Sequence, residues 1–371
     1  MSEPVRVLHV FFSMDRGGAE TMIMNLYRNI DRSKIQFDFV VHTDKKCDYD
    51  DEIISLGGKL FRIPRYSGKN HFNYKKAWIN FFNTNLNYKI IHGHLNSTAS
   101  IYLKIAKKNG LSTIAHSHSS SSGIGVSAVI KNIMQYPIRH TADYLFACSN
   151  LAGEWLYGRK ACNNKNFFLL KNAIDINQFA FNKEIRDRKR NELKVQDKFV
   201  IGHIGRFHHV KNHRFLIDIY KSIFEKNKNS VLIMVGDGEE RSLIEQKVKS
   251  LGIDKNVIFT GLRTDVHELL QAFDVFVFPS LYEGLPVTLI EAQASGLPCF
   301  VSANITEDVK LTDKIEFISL DKEAEYWAKK IIEAKDVKTR ISNLSTFIQS
   351  GYDIKTTSKW YEDFILQIYS N

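Results

Sequence analysis

Short apolar runs alternate with amphipathic stretches along the first half of the chain. Val5 to Phe12, Phe37 to His42, Lys59 to Ile63, Ile90 to His94, Thr113 to His118, Asp143 to Cys148 and Phe167 to Leu170 have the length and composition of strands. Between them, apolar residues recur at helical spacing, as in Met22, Ile23, Leu26, Tyr27 and Ile30. The same period predicts helices near Tyr49 to Leu56, Tyr74 to Phe82, Thr98 to Lys108, Val126 to Arg139 and Leu151 to Tyr157. The apolar pattern lapses over 176–197, where Asn182 to Glu192 is densely charged, and a linker is predicted at 181–197. Alternation then restarts with strands at Phe199 to Ile204, Val231 to Val235, Val257 to Thr260 and Val275 to Phe278. Helices are predicted up to Lys226, at Glu239 to Leu251 and Asp265 to Ala272, and near Lys322 to Lys335 and Thr357 to Tyr369. Strands interleaved with helices imply parallel sheets covered on both faces. The expectation is an α/β chain of two doubly wound parallel-sheet domains facing a cleft. An N-terminal domain would span 1–180 and a C-terminal domain 198–350. A last segment, 351–371, is a helix expected to pack toward the N-terminal domain.

Composition narrows the class. The 371 residues are 44% hydrophobic and 25% charged, as in a soluble globular protein. No stretch approaches the roughly 20 apolar residues that span a bilayer. The N-terminus runs straight into a strand-like segment without a signal-peptide pattern. Cys47, Cys148, Cys162 and Cys299 lack CxxC spacing and read as reduced cytosolic thiols. The net charge of +10 is unevenly spread: residues 1–175 hold 23 Lys/Arg against 13 Asp/Glu, and the remainder 28 against 28. Between Glu52 and Asp143 there are 12 Lys/Arg and no acid. Such a surface suits an anionic lipid surface, a phosphorylated acceptor or nucleic acid. No RNA- or DNA-binding motif accompanies it.

Candidate chemistry collects where strands meet helices. The stretch Phe278-Pro-Ser-Leu-Tyr-Glu-Gly-Leu-Pro-Val-Thr-Leu-Ile-Glu291 places Glu283 on a loop before a proline-started helix and Glu291 inside that helix. Free backbone N–H groups there suit a phosphate, and carboxylates suit sugar hydroxyls; an ordinary capped helix would carry the same residues. Gly17-Gly18 follows the first strand and opens a helix, as a tight turn or as a close approach to a ligand. Gly205-Arg206 with Lys211-Asn212 can bracket a diphosphate, or form a solvated basic loop. Gly236-Asp-Gly begins like a dinucleotide fingerprint, but Arg241 stands where the third glycine belongs, so it reads as a turn.

Histidines gather at strand ends: His92, His94, His116, His118, His203, His208 and His209. HxH pairs can hold a metal, but acidic ligands are scarce nearby, and no metal is expected. Asp48-Tyr-Asp50 has a metal-holding form that surface acids often share. Ser117 to Gly125 reads as a mobile loop over the cleft. Arg65 to Phe82 mixes lysines with Tyr74, Trp78, Phe81 and Phe82, which fits a helix on a membrane interface or one whose aromatics face the core.

Together these residues resemble family 4 of the retaining, nucleotide-sugar-dependent glycosyltransferases with the GT-B fold, two Rossmann-like domains. The resemblance rests on Glu283-x7-Glu291 within Phe-Pro-Ser-x-Tyr-Glu-Gly-Leu-Pro, with Gly17-Gly18-Ala-Glu20, His116, Asp143 to Ser149, Asn172 to Asp175 and Gly205-Arg206 to Lys211-Asn212 in order. It implies that Arg206 and Lys211 bind the donor diphosphate beside the Gly17 and Gly18 backbone. Glu291 would hold the ribose and Glu283 the donor sugar, with Gly284 and Leu285 alongside. His116, or His118 two residues on, would sit at the reacting centre. Candidates for the acceptor side are His118, Ser119, Lys75 and Lys76. It also implies a UDP-sugar donor, no metal or other cofactor, and a lipid-linked saccharide acceptor in exopolysaccharide, capsule or lipopolysaccharide synthesis. The protein would be cytoplasmic, peripheral on the inner face of the membrane. A soluble acceptor is the enzymatic alternative, and a non-catalytic anionic-surface or nucleic-acid-binding protein the alternative of another class. Two departures from the family pattern are Asn172-Ala173 for Asn-Gly and Ser302 to Asp308 for a glycine-rich segment.

Overall fold

The computed structural model describes residues 3–119, 125–334 and 340–370. The chain divides into two compact units, Met1–Ile174 with Asp353–Asn371, and Asp175–Tyr352. In the first, strands β1 (Val5–Val10), β2 (Ile35–Val41), β3 (Leu60–Arg62), β4 (Ile90–Gly93), β5 (Ser112–Ser117), β6 (Tyr144–Ala147) and β7 (Phe167–Leu169) form one sheet. Their order is β3-β2-β1-β4-β5-β6-β7, and every pairing is parallel. Helices cover both faces because right-handed crossovers run from β1 to one edge and then from β4 to the other. One face packs Phe37, Phe39 and Phe146 against the Gly18–Asn29 helix and the terminal Ile354–Ser370 helix. A parallel bridge between Ile174 and Asp353 anchors that terminal helix to the first unit. The opposite face buries Trp78, Tyr102 and Leu103.

The second unit repeats the plan with β8 (Phe199–Ile204), β9 (Ser230–Val235), β10 (Val257–Gly261), β11 (Val275–Phe278), β12 (Cys299–Ser302) and β13 (Ile315–Ile318). Their order is β10-β9-β8-β11-β12-β13, again all parallel. The two parallel-sheet domains have the GT-B fold. In each sheet the strand order reverses once, between β1 and β4 and between β8 and β11. Crevices for ligands open beyond the carboxyl ends of strands at such points.

Several elements differ from expectation. Residues 181–197 are not a free linker: Lys183–Glu192 is a helix of the second unit. Three of its cations, Arg186, Lys189 and Arg190, are engaged rather than solvated. Arg186 donates to the carbonyls of Gln271 (2.9 Å) and Phe273 (2.8 Å), capping the C-terminal end of the Val266–Ala272 helix. Lys189 pairs with Asp265 (2.8 Å) and Glu268 (2.9 Å), and Arg190 with Asp274 (3.1 Å). Charge density alone cannot separate a solvated linker from a helix whose cations meet partners distant in sequence.

The unit boundaries at Ile174 and Tyr352 therefore replace 180 and 350. β13 was not among the strands expected from the sequence. The stretch Val126 to Arg139 breaks into Val126–Gln135 and Ile138–Thr141 at Pro137. In the His71–Thr84 helix Tyr74, Trp78, Phe81 and Phe82 are core, Tyr74 and Trp78 being 1% and 0% exposed, while Phe72 stands 84% exposed. Tyr74, Trp78, Phe81 and Phe82 thus take the core reading, and the outward face holds Phe72, Lys75, Lys76 and Ile79. Most of the loop Ser117 to Gly125 lies outside the described residues. No described helix is long and apolar enough to cross a membrane. All four cysteines are free thiols.

Candidate active site

In the second unit the loops after β8 and β11 are laced together. Leu281 donates its N–H to the Val210 carbonyl at 2.8 Å, and Asn212 Nδ2 donates to the Pro279 carbonyl at 3.1 Å. Asn212 adopts the left-handed conformation (φ 54°), which its short polar side chain tolerates better than most. This turn directs Lys211 inward. Its Nζ lies 2.6 Å from Glu283 Oε1 and 4.6 Å above the Phe278 ring, and each side chain of the pair is 18% exposed. Opposite charges so placed at a switch point form a ready site for a ligand with both phosphate and hydroxyl groups.

Arg206 points elsewhere. Its side chain is 73% exposed and reaches Glu239 at 3.3 Å, so the two cations expected to bracket one diphosphate do not converge in this structure. Gly284 is open, and no atom lies within 4 Å of where a Cβ would stand. Leu285 is half-buried, and Pro286 occupies the N-cap of the Val287–Ala294 helix, which no side chain caps. Its first N–H groups are thus free for an anion. Glu291 lies in the second turn of that helix, and desolvation pushes its carboxyl up to about 7. Asn304, after β12, donates from Nδ2 to the Leu281 carbonyl at 3.0 Å and borders the same loop. Asn304 belongs to the Ser302 to Asp308 segment that departs from the family pattern. Gly236 packs on the Gly205 loop, where a Cβ would lie 2.1 Å from the Gly205 carbonyl oxygen, and its φ is 136°. It serves a tight loop crossing.

In the first unit Gly17 caps the Gly18–Asn29 helix without a side-chain bond, and Gly18 is exposed with no atom within 4 Å of a Cβ position. Asp48 accepts from the Arg16 N–H at 3.1 Å, and buried Asp50 pairs with Arg62 at 3.2 Å and accepts from the Cys47 N–H at 3.1 Å. The DxD acids thus brace the glycine loop and its neighbours.

The histidines form a row across the sheet. His9 pairs in register with His92, and the alternation of side chains puts His94, His116 and His118 on the same face. His9 Nδ1 is 3.1 Å from His94 Nε2, and His94 Nδ1 is 2.8 Å from His118 Nε2. His92 Nδ1 meets the Tyr361 hydroxyl of the terminal helix at 2.8 Å. His116 is fully buried beneath His118, with ring centres 3.9 Å apart, while His118 is partly exposed. Burial lowers the pKa of all five, to about 3 for His9 and His118 and well below the ordinary value for His92, His94 and His116. They are neutral at pH 7.

Ligand nitrogens of His94, His116 and His118 lie within 4.8 Å of one another, as do those of His9, His92 and His94. Such all-imidazole sets suit a zinc-like ion. A diphosphate-bound Mg²⁺ or Mn²⁺ asks for carboxylate oxygens, and none belongs to either set. In the second unit, buried His203 and His213 are packing residues: His203 bonds the Val277 carbonyl at 2.8 Å, and His213 stacks on Phe207.

These loops and sheets define the class. The chain is a family 4 glycosyltransferase of the GT-B fold: residues 16–178 match Glycosyltransferase Family 4, and residues 184–345 match Glycosyl transferases group 1. It is 38% identical to the EpsF protein of Bacillus subtilis (strain 168), across 95% of this chain and 94% of that one. It is 26% identical to the capsular polysaccharide biosynthesis glycosyltransferase CapH of Staphylococcus aureus, over 96% of this chain and 97% of CapH. Among solved structures, Anabaena HepE in complex with UDP superposes with a TM-score of 0.79 at 17% identity, covering 98% of this chain and all of that one.

Proposed function

We propose that the protein transfers a sugar from a nucleotide diphosphate, a UDP-sugar, to a lipid-linked saccharide in the assembly of a surface polysaccharide. The Lys211–Glu283 pair carries this reading: it offers one cation to a diphosphate and one carboxylate to a sugar at the switch point of the second sheet. Lys211 and the uncapped Val287–Ala294 helix stabilise charge on the leaving diphosphate, and Arg206, exposed and on a mobile-length side chain, swings from Glu239 to join them. Glu291 accepts from ribose hydroxyls and Glu283 from the sugar. Gly284 and Leu285 supply backbone beside them.

Transfer retains the anomeric configuration. The bond from the anomeric carbon to the phosphate oxygen breaks as the acceptor hydroxyl oxygen bonds to that carbon on the same face. The acceptor's proton passes to the departing phosphate oxygen. No metal is required in this scheme, because Lys211, Arg206 and the helix N-terminus supply the positive charge. His118, the partly exposed imidazole, contacts the sugar, and His116 beneath it positions that ring.

CapH supports the polysaccharide role. An Escherichia coli relative, 30% identical over 58% of this chain, is described as a UDP-Gal:alpha-D-GlcNAc-diphosphoundecaprenol alpha-1,3-galactosyltransferase, which supports both the donor and the lipid-linked acceptor. HepE has also been solved with UDP-glucose. The test is a thermal-shift screen with UDP-, GDP- and dTDP-sugars: stabilisation by a UDP-sugar, lost in Lys211→Ala, is expected. A response confined to GDP- or dTDP-sugars would overturn the donor assignment.

A further inference from the structure

The first unit contains a cavity of 590 Å³ that none of the donor-side residues lines. Its apolar walls are Phe12, Leu95, Ile130 and Met134, and its cations are Arg65 and Lys131. No acidic residue lines it among the described residues. Arg65 lies over the Phe12 ring, its guanidinium carbon 5.2 Å from the ring centre, and both residues line the cavity.

Ile130 belongs to a second feature as well. On the Val126–Gln135 helix and the residue after it, Val129, Ile130, Ile133 and Tyr136 are 58%, 53%, 68% and 59% exposed. Their spacing of one, four and seven places them on one face. Four large apolar side chains standing together in water mark a contact surface. They lie within the acid-free segment between Glu52 and Asp143, so the surface that would accept them is anionic as well as apolar.

We propose that this helix face lies on an anionic bilayer and that the adjoining cavity takes the diphosphate-linked polyprenyl end of the acceptor. Arg65 and Lys131 hold the diphosphate, and the Phe12, Leu95, Ile130 and Met134 walls hold the first isoprene units. The proposal rests on the lipid-linked acceptor reading and assigns that acceptor a place in this chain. A soluble sugar acceptor would have no use for an apolar wall continuous with an exposed apolar helix.

The test uses the full chain with farnesyl diphosphate, a soluble polyprenyl diphosphate, followed by calorimetry. Wild type should bind it, and Arg65→Ala/Lys131→Ala should bind at least tenfold more weakly, while UDP affinity is unchanged. Equal binding by wild type and variant, or equal affinity for inorganic diphosphate and farnesyl diphosphate, would overturn the proposal. In a second arm, vesicles of phosphatidylglycerol and phosphatidylcholine should sediment wild type. Ile133→Glu, an exposed position whose change leaves the core intact, should reduce that binding at least tenfold, and undiminished sedimentation would overturn the docking face. The donor screen reads the glycosyltransfer proposal separately, so the two can fail independently.

Discussion

Acidification should loosen the first unit far more than the second, because of the histidine row. His9 and His118 have pKa values near 3 in the folded chain, against about 6.5 when unfolded. Between these values the unfolded state binds the extra protons, so stability falls as pH falls through 6.5. Each residue favours unfolding by RT ln(1 + 10^(6.5 − pH)), which is about 0.1 kcal/mol at pH 7.5 and about 1.4 kcal/mol at pH 5.5. Provided the folded pKa stays well under 5.5, its depth does not enter. The pair therefore costs the first unit roughly 2.7 kcal/mol over that change, and His92, His94 and His116 add in the same direction.

In the second unit His203 (about 4) and His213 (about 2) act alike, but Glu291 opposes them. Its raised folded pKa, about 7, means that it takes up a proton in the folded state first and returns roughly 1.8 kcal/mol. Urea unfolding at pH 7.5 and 5.5 measures the difference. Fluorescence reports chiefly the first unit, since Trp78, Trp155 and Trp360 lie there and only Trp327 in the second. A midpoint unchanged between the two pH values would refute the claim that the row is held neutral. His9→Phe should reduce the pH-dependent loss by about 1.4 kcal/mol.

Other outcomes follow from the donor-side geometry. Lys211→Ala should lower transfer by about 100-fold or more, the scale of removing one preorganised charge partner, with circular dichroism unchanged; full activity would sink the diphosphate role. Glu291→Gln should stabilise the protein at pH 8 by up to about 3 kcal/mol, through relief of carboxylate desolvation, yet weaken nucleotide binding; thermal melts with and without UDP read both effects. Gly18→Ala should fold normally but bind donor more weakly, because its Cβ enters open space at the helix start. Gly202→Ala, by contrast, should fail to fold, since its Cβ would meet the Phe273 ring at 1.9 Å, and soluble yield distinguishes the two. Dialysis against EDTA should leave transfer intact; loss restored by Mn²⁺ would refute metal independence.

The hydrophobic pattern by itself determined most of the strands, the parallel doubly wound class and the repetition of one plan in two units. Strand composition and helical period are local properties, and a buried parallel strand such as Val275–Phe278 is apolar wherever it sits. The Glu283–Glu291 corner and the Lys211 loop were legible for a similar reason: the residues that make them are contiguous. Three matters were decided only by tertiary structure. Arg186, Lys189 and Arg190 turned a charged stretch into a packed helix, because their partners at 265–274 are some 80 positions away in the sequence. Trp78 and its neighbours went to the core while Val129, Ile130 and Ile133 stayed outside, a choice that helical period states only as a face and never as its destination. The histidines became one row because strand order brings β1, β4 and β5 side by side. At the corner itself, Lys211 was expected to meet phosphate and Glu283 a sugar; folding makes each the other's partner at 2.6 Å.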